Sequence, residues 1–205
     1  MRFSTARTAA LGAAVLFGSA LLVTFAACAP RDRSSVQDAA DSVPEYVFEV
    51  DSELLGDTLL IDAAGVALAP PRGWEPVDDA TRAMVEAQIE ESAAEGPISG
   101  TLLELFVDPG SGSALTLMRL DGGLSPREIG AALGQAEGAE KAVFRHAGLE
   151  IVQIRTVADQ AAAFSLVTRI DRQSDPLLLQ YVVAQSAEPQ IMRAVESSIG
   201  SLRIQ

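Results

Sequence analysis

Between Leu177 and Ala184 the chain reads LLLQYVVA, with Leu177, Leu179, Tyr181 and Val183 on one side of an extended segment and Leu178, Val182 and Ala184 on the other. Side chains alternate across a strand, so a strand that is apolar on both sides has to be covered on both sides. Three more strands precede it, over 142–146, 149–157 and 161–170. After it the spacing changes. Ile191, Val195, Ile199 and Leu202 recur at intervals of three and four, which predicts a helix over 188–202 with one buried stripe.

The first half carries shorter elements. Residues 45–50 (EYVFEV) alternate as a strand does, and the runs 58–62 and 65–69 flank an Ala-Ala-Gly turn and predict a hairpin. Pro70 and Pro71 cannot donate to a ladder, so they close this unit and set Trp74 beside the sheet. Asp78 and Asp79 open a helix whose free amides favour their carboxylates. Met84, Val85 and Ile89 share one of its faces, with Glu86, Glu90 and Glu91 away from it. Residues 101–107 and 114–120 form a hairpin across Asp-Pro-Gly-Ser-Gly-Ser. Ser125-Pro126-Arg127-Glu128 is a capping box with proline at the first helical position. The helix it opens carries Ile129, Ala132, Leu133 and Ala136 as its stripe, and Gly138 suits its end.

The resulting order is three strands, helix, two strands, helix, four strands, helix. Short strands joined by hairpins do not make the long crossovers of a parallel sheet. The expected fold is therefore α+β, a mostly antiparallel sheet with helices packed on it.

The amino terminus follows a different pattern. After Arg2 and Arg7, residues 9–29 are uncharged, and about 20 such residues can cross a bilayer. The run ends in Phe25-Ala26-Ala27-Cys28, which resembles a bacterial lipobox, the motif where lipoprotein signal peptidase cuts before a diacylglycerol-bearing cysteine. Small residues occupy the two positions before Cys28 as the motif asks, while Phe25 stands where leucine is usual. A retained anchor and an ordinary secretory cut after Ala26 are the alternatives. The resemblance implies a signal peptide over 1–27, lipidation at Cys28, and attachment to the cell membrane or outer membrane facing outside the cytoplasm. A polar tether over 28–43 would then lead into a single domain over 44–205.

Composition agrees with that division. Cys28 is the only cysteine, so the fold does not rest on an internal disulfide, and the 178 residues from Cys28 onward are enough to bury a core without one. The chain carries a net charge of −13. From Asp38 to Glu95 fifteen acids face only Arg72 and Arg82, and such a surface repels phosphate backbones, which excludes nucleic acid as a partner.

Candidate chemistry is sparse. His146, the only histidine, lies in a turn-like sequence, Arg-His-Ala-Gly, and no serine stands in a nucleophile-elbow pattern beside a base. Acylation would consume the Cys28 sulfur. Zinc needs cysteine and histidine clusters that are missing, and the acidic sets Asp51, Glu53, Asp57 and Glu86, Glu90, Glu91 lack a calcium-loop spacing. The glycine pairs at 110–112 and 122–123 are not followed by a P-loop lysine and read as turns. No catalytic residue, metal or cofactor is expected. Trp74 is the aromatic that an exposed ligand or partner groove would use as an anchor, although its proline corner also suits a structural role.

Gly65-Val-Ala-Leu-Ala-Pro70-Pro71-Arg-Gly73-Trp74 and the closing Val195-Glu-Ser-Ser-Ile199-Gly-Ser-Leu202 resemble the PsbP-like family of α/β/α sandwich domains, and in plan the LpqN-type lipoproteins of actinobacteria. The likeness spans Tyr46 to Gln205. It implies a non-catalytic accessory, assembly or binding module and carries over no catalytic set. The expected function is that of a lipid-anchored envelope protein binding a protein partner or a small apolar ligand. The alternative is an envelope hydrolase with carboxylate-only chemistry, which would need acids of raised pKa in a cleft.

Overall fold

The computed structural model describes residues 43–95, 98–158 and 160–205. Among them the elements run β1 (Leu59–Ile61), β2 (Val66–Leu68), β3 (Glu75–Pro76), α1 (Asp79–Glu95), β4 (Gly100–Val107), β5 (Ala114–Leu120), α2 (Pro126–Leu133), β6 (Glu140–His146), β7 (Leu149–Ala158), β8 (Ala161–Thr168), β9 (Leu177–Ala184), α3 (Glu188–Gly200) and β10 (Arg203–Ile204). A seven-stranded sheet has the order β3-β4-β5-β9-β8-β7-β6, and a small sheet the order β1-β2-β10. All these strand pairs are antiparallel. The fold is thus α+β with helices packed on an antiparallel sheet, as the hairpin pattern requires.

Both faces of the large sheet are covered, as the LLLQYVVA strand demands. On one face Leu117, Ile151, Leu179 and Tyr181 pack with Leu68 of the small sheet and with Val195 and Ile199 of α3. On the other, Ile129 of α2 sits among Val152, Ile154 and Leu178, while Ile89 of α1 meets Leu102 and Leu105. The two layers on either side of the sheet make the sandwich.

Local chemistry explains the starts of the helices. In the capping box Glu128 Oε2 accepts from Ser125 N–H at 2.8 Å and Ser125 Oγ accepts from Glu128 N–H at 3.3 Å. The Ser125 N–H, together with the Ser125 hydroxyl that donates to the same Oε2 at 2.7 Å, holds the Glu128 carboxyl below its ordinary range. Asp78 Oδ1 accepts from Thr81 N–H at 2.7 Å at the start of α1 and is held low for the same reason.

Several expectations are corrected. Residues 45–50 form no strand; only Glu45 bridges, in parallel, to Arg145. Their alternation instead turns Tyr46 and Phe48 toward Phe144, with Tyr46 and Phe48 edge to face at 4.7 Å, and leaves Val47 84 % exposed. Met84 is not on the packed face of α1 but 57 % exposed. The inward stripe is Val85 and Ile89, and Arg82 lies over β4, donating to the carbonyls of Leu102 and Leu103 at 3.0 Å each. That guanidinium satisfies backbone oxygens next to a register shift in β4 that the sequence did not disclose. Helix α2 stops at Leu133 with Gly134 as its cap, and Gly138 belongs to the turn beyond. Strand β8 ends at Thr168, and α3 ends at Gly200, so Leu202 is buried just past the helix.

Candidate functional site

The end of α3 carries a run of small polar residues, Ser197-Ser198-Ile199-Gly200-Ser201, and two of its serines are fully buried. Strand β2 ends at Leu68, and Ala69 leads from it into Pro70 and Pro71, which have no N–H to give. The serines serve the backbone there. Ser198 Oγ donates to Ala69 C=O at 2.6 Å, Ala69 N–H donates to Ser201 Oγ at 2.9 Å, and Ser197 Oγ accepts from Asp51 N–H at 3.1 Å. Since the Ser198 hydrogen is committed to Ala69, the buried Tyr181 hydroxyl donates to Ser198 Oγ, at 2.9 Å. Burial raises the Tyr181 phenol well above its ordinary value, so the ring stays neutral and remains a donor.

This chain of hydroxyls is expected to be costly to break. Ser198→Ala leaves the Tyr181 O–H without an acceptor and takes the shortest bond from Ala69 C=O. The expected loss is about 1–3 kcal/mol, read from chemical denaturation. An unchanged midpoint would show that the relay contributes nothing.

Gly200 is small for a reason. A Cβ there would stand 2.6 Å from Phe48 Cβ and 2.8 Å from Val50 Cγ2, so only glycine lets the amino-terminal segment cross the end of α3. His146, the last residue of β6, pins that crossing: Nδ1 lies 3.2 Å from Tyr46 C=O and Nε2 3.1 Å from Gly200 C=O. A ring with one N–H can donate to one of these carbonyls, and a doubly protonated ring to both. The β6–β7 connection is the two-residue turn Ala147-Gly148, with φ of 49° and 81°. Such turns favour glycine or asparagine at both places, and Ala147 holds the left-handed conformation at a cost of about 1–2 kcal/mol.

Beside this crossing lies an open hollow of about 450 Å³, lined by Val50, Leu55, Ala69, Ala147 and Leu202, with His146 and Arg203 at its polar side. Arg203 makes no ion pair among the described residues. A second hollow, about 480 Å³, lies between Gly65, Ile170, Leu177 and Ile204 and includes Arg119, Asp171 and Asp175. Asp171 accepts from the N–H groups of Gln173 at 2.7 Å and Ser174 at 2.8 Å, which lowers its pKa. Asp175 lies 3.8 Å from Arg119 Nε. A general acid needs the opposite shift, so Asp171 is poorly placed for that role.

The residues singled out in the sequence fall as follows. Cys28, the signal segment and residues 28–42 of the tether lie outside the described residues. Trp74 is 8 % exposed, sits in the core with its ring centroid 6.4 Å from that of Tyr181, and lines neither hollow. Its burial follows from β3, which pairs Glu75 with Val107 and draws the corner onto the sheet. His146 has two backbone carbonyls as partners and no carboxylate among them. The acidic sets are dispersed: Asp51 caps a 3₁₀ turn and pairs with Arg193 at 3.4 Å, and Glu86 pairs with Arg82 at 3.0 Å. Among the described residues no three histidine, cysteine, aspartate or glutamate side chains are grouped to hold a metal. The serine run and the hollow beside it escaped the sequence reading. The closing segment entered only as a family likeness, although an unusual Ser-Ser-x-Gly-Ser on a helix face is the signal that points there.

The architecture defines the class as an α/β/α sandwich of antiparallel sheet with a small second sheet. No protein-family model and no curated protein matches the sequence. Among solved structures the chain is similar to the cyanobacterial PsbP (CyanoP) of Synechocystis, at TM-score 0.44 and 11 % identity over 83 % of this chain and 98 % of that one. It is similar too to LpqN of Mycobacterium tuberculosis, described as involved in cell envelope biogenesis, at TM-score 0.44 and 14 % identity over 68 % of this chain and 83 % of that one. A Bacteroides thetaiotaomicron structure matches at TM-score 0.43 and 12 % identity over 73 % of this chain, which spans about half (48 %) of the other protein's length.

Proposed function

We propose that this protein is a lipid-anchored component of the bacterial cell envelope, held at the cell membrane or outer membrane through Cys28, whose domain acts by binding rather than by catalysis. The hollow beside the end of α3 carries the binding reading: Val50, Leu55, Ala69, Ala147 and Leu202 give it an apolar wall, Arg203 at its rim makes no ion pair among the described residues, and the histidine next to it is occupied by backbone carbonyls. A small apolar ligand with an anionic end, or an extended partner segment, suits such a surface. The lipid anchor rests on the Phe25-Ala26-Ala27-Cys28 segment. Among the described residues no helix is long and apolar enough to cross a membrane.

Cys28→Ala is expected to abolish labelling by a fatty-acid analogue and to leave an uncleaved or mislocalised precursor. Labelling and cleavage unchanged in that variant would overturn the anchor. For the binding reading, Arg203→Glu is expected to lose material that the native protein captures from its own envelope, while its melting temperature stays put. Equal capture by both proteins would remove the hollow from consideration.

A further inference from the structure

The carbonyls of a helix's last turn have no partner within the helix and must find one outside its ladder. At the end of α3, Ser197 and Ser198 C=O accept from Ser201 N–H, and Ile199 C=O accepts from Leu202 N–H. The Gly200 C=O is met instead by His146 Nε2 at 3.1 Å, while on the other side of the ring Nδ1 faces Tyr46 C=O at 3.2 Å. Both partners are oxygens that only accept. A neutral imidazole has one N–H, so at one of these contacts a ring lone pair meets a carbonyl lone pair; an imidazolium donates to both.

The helix end reinforces that preference, because its partial negative charge favours a cationic histidine against the last turn. Charged groups on the elements around the ring are Glu45, Glu49 and Asp51 on the crossing segment, Arg145 on β6, Glu150 on β7, Arg193 and Glu196 on α3, and Arg203 on β10. Asp51 is paired with Arg193 and Glu150 with Arg127. Glu45, Glu49 and Glu196 then stand against Arg145 and Arg203, a balance that does not oppose a cation, and the two carbonyls decide.

We propose that His146 is a proton-operated latch that fastens residues 44–51 across the end of α3. Doubly protonated, the ring ties Tyr46 C=O and Gly200 C=O together and joins the segment to the helix. Losing either ring proton leaves one carbonyl without a donor. The segment is then held by Tyr46 N–H on Arg145 C=O at 2.7 Å, by Asp51 N–H on Ser197 Oγ at 3.1 Å, and by Phe48 against Phe144. Docking and protonation favour each other, so the segment is held most firmly on the acid side of the histidine range and loosens as pH rises through it. Val50 of this segment walls the hollow beside α3, so the latch sets whether that wall is in place. This consequence rests on the hollow being the binding site; the latch does not.

The test reads the segment alone, by amide hydrogen exchange on the full chain with each rate divided by that of a free peptide at the same pH. Protection of the Tyr46 and Asp51 amides is expected to be at least roughly tenfold greater at about pH 5 than at about pH 8, the fold-change that one hydrogen bond to a charged group supplies. Amides of β8 and β9 report any change in the whole domain and are the reference. His146→Gln keeps one side-chain N–H donor group but does not titrate, and it should abolish the difference while β8 and β9 stay protected. In the native chain at the lower pH, both ring N–H protons of His146 should give persistent proton resonances. Equal protection of Tyr46 and Asp51 at the two pH values, or a difference that survives in His146→Gln, would overturn the latch.

Discussion

An aspartate at Val195 should leave the chain without a cooperative fold. Val195 is fully buried on α3, within the cluster that joins the helix to the sheet and to β2. A carboxylate there either stays charged with no partner in an apolar interior or takes up a proton at a free-energy cost, and in both forms the valine packing is lost. The penalty is on the order of 4–5 kcal/mol or more, against a total stability of roughly 5–15 kcal/mol for a domain. Circular dichroism should show no sharp melting transition. Glu196→Ala, one residue along on the exposed side of the helix, should melt with the parent. A Val195→Asp protein melting within a few degrees of the parent would mean that α3 is not docked as described.

Trp74→Ala carries the next largest effect and separates two roles for that ring. As a partner anchor in an open groove, the indole would be removable with little loss of stability. Buried at 8 % exposure near Phe106 and Tyr181, it is instead expected to cost about 3–5 kcal/mol, part from lost transfer energy and part from the cavity left behind. Trp74→Phe should recover a good share of this. Thermal melts of the two variants decide the matter: a Trp74→Ala protein as stable as the parent would put the ring outside the core and return it to the candidates for binding.

Trp74 also shows where a sequence reading stops. Its proline corner was visible, and so was a choice between anchor and core. Only β3 pairing with β4 at Glu75 and Val107 turned the ring inward. Residues 45–50 make the reverse case. Their alternation is real, since Tyr46 and Phe48 face the aromatic cluster, but alternation records which side is buried and not whether a neighbouring strand is present to bond. Met84 was misplaced because 82, 85 and 89 share one face of the helix and 84 lies about 100° round from 85, so that face carries Val85, Ile89 and Arg82, which reaches across to the β4 carbonyls. The α2 capping box was legible in full because all of its partners lie within four residues.

The amino-acid sequence by itself determined strands β4 to β9, the three helices, the antiparallel sense of the large sheet, and the coverage of both its faces. Each of these follows from period and turn chemistry, which are properties of neighbouring residues. Tertiary structure alone decided that β5 lies beside β9, that β10 completes a small sheet with β1 and β2, and that Ser198, 129 positions away from Ala69, supplies the hydrogen bond that two prolines make necessary. It alone formed the hollow between the crossing segment, the Ala147 turn and the end of α3. A local pattern records which side of an element is apolar. Which distant backbone group that element will satisfy is settled only when the chain closes on itself.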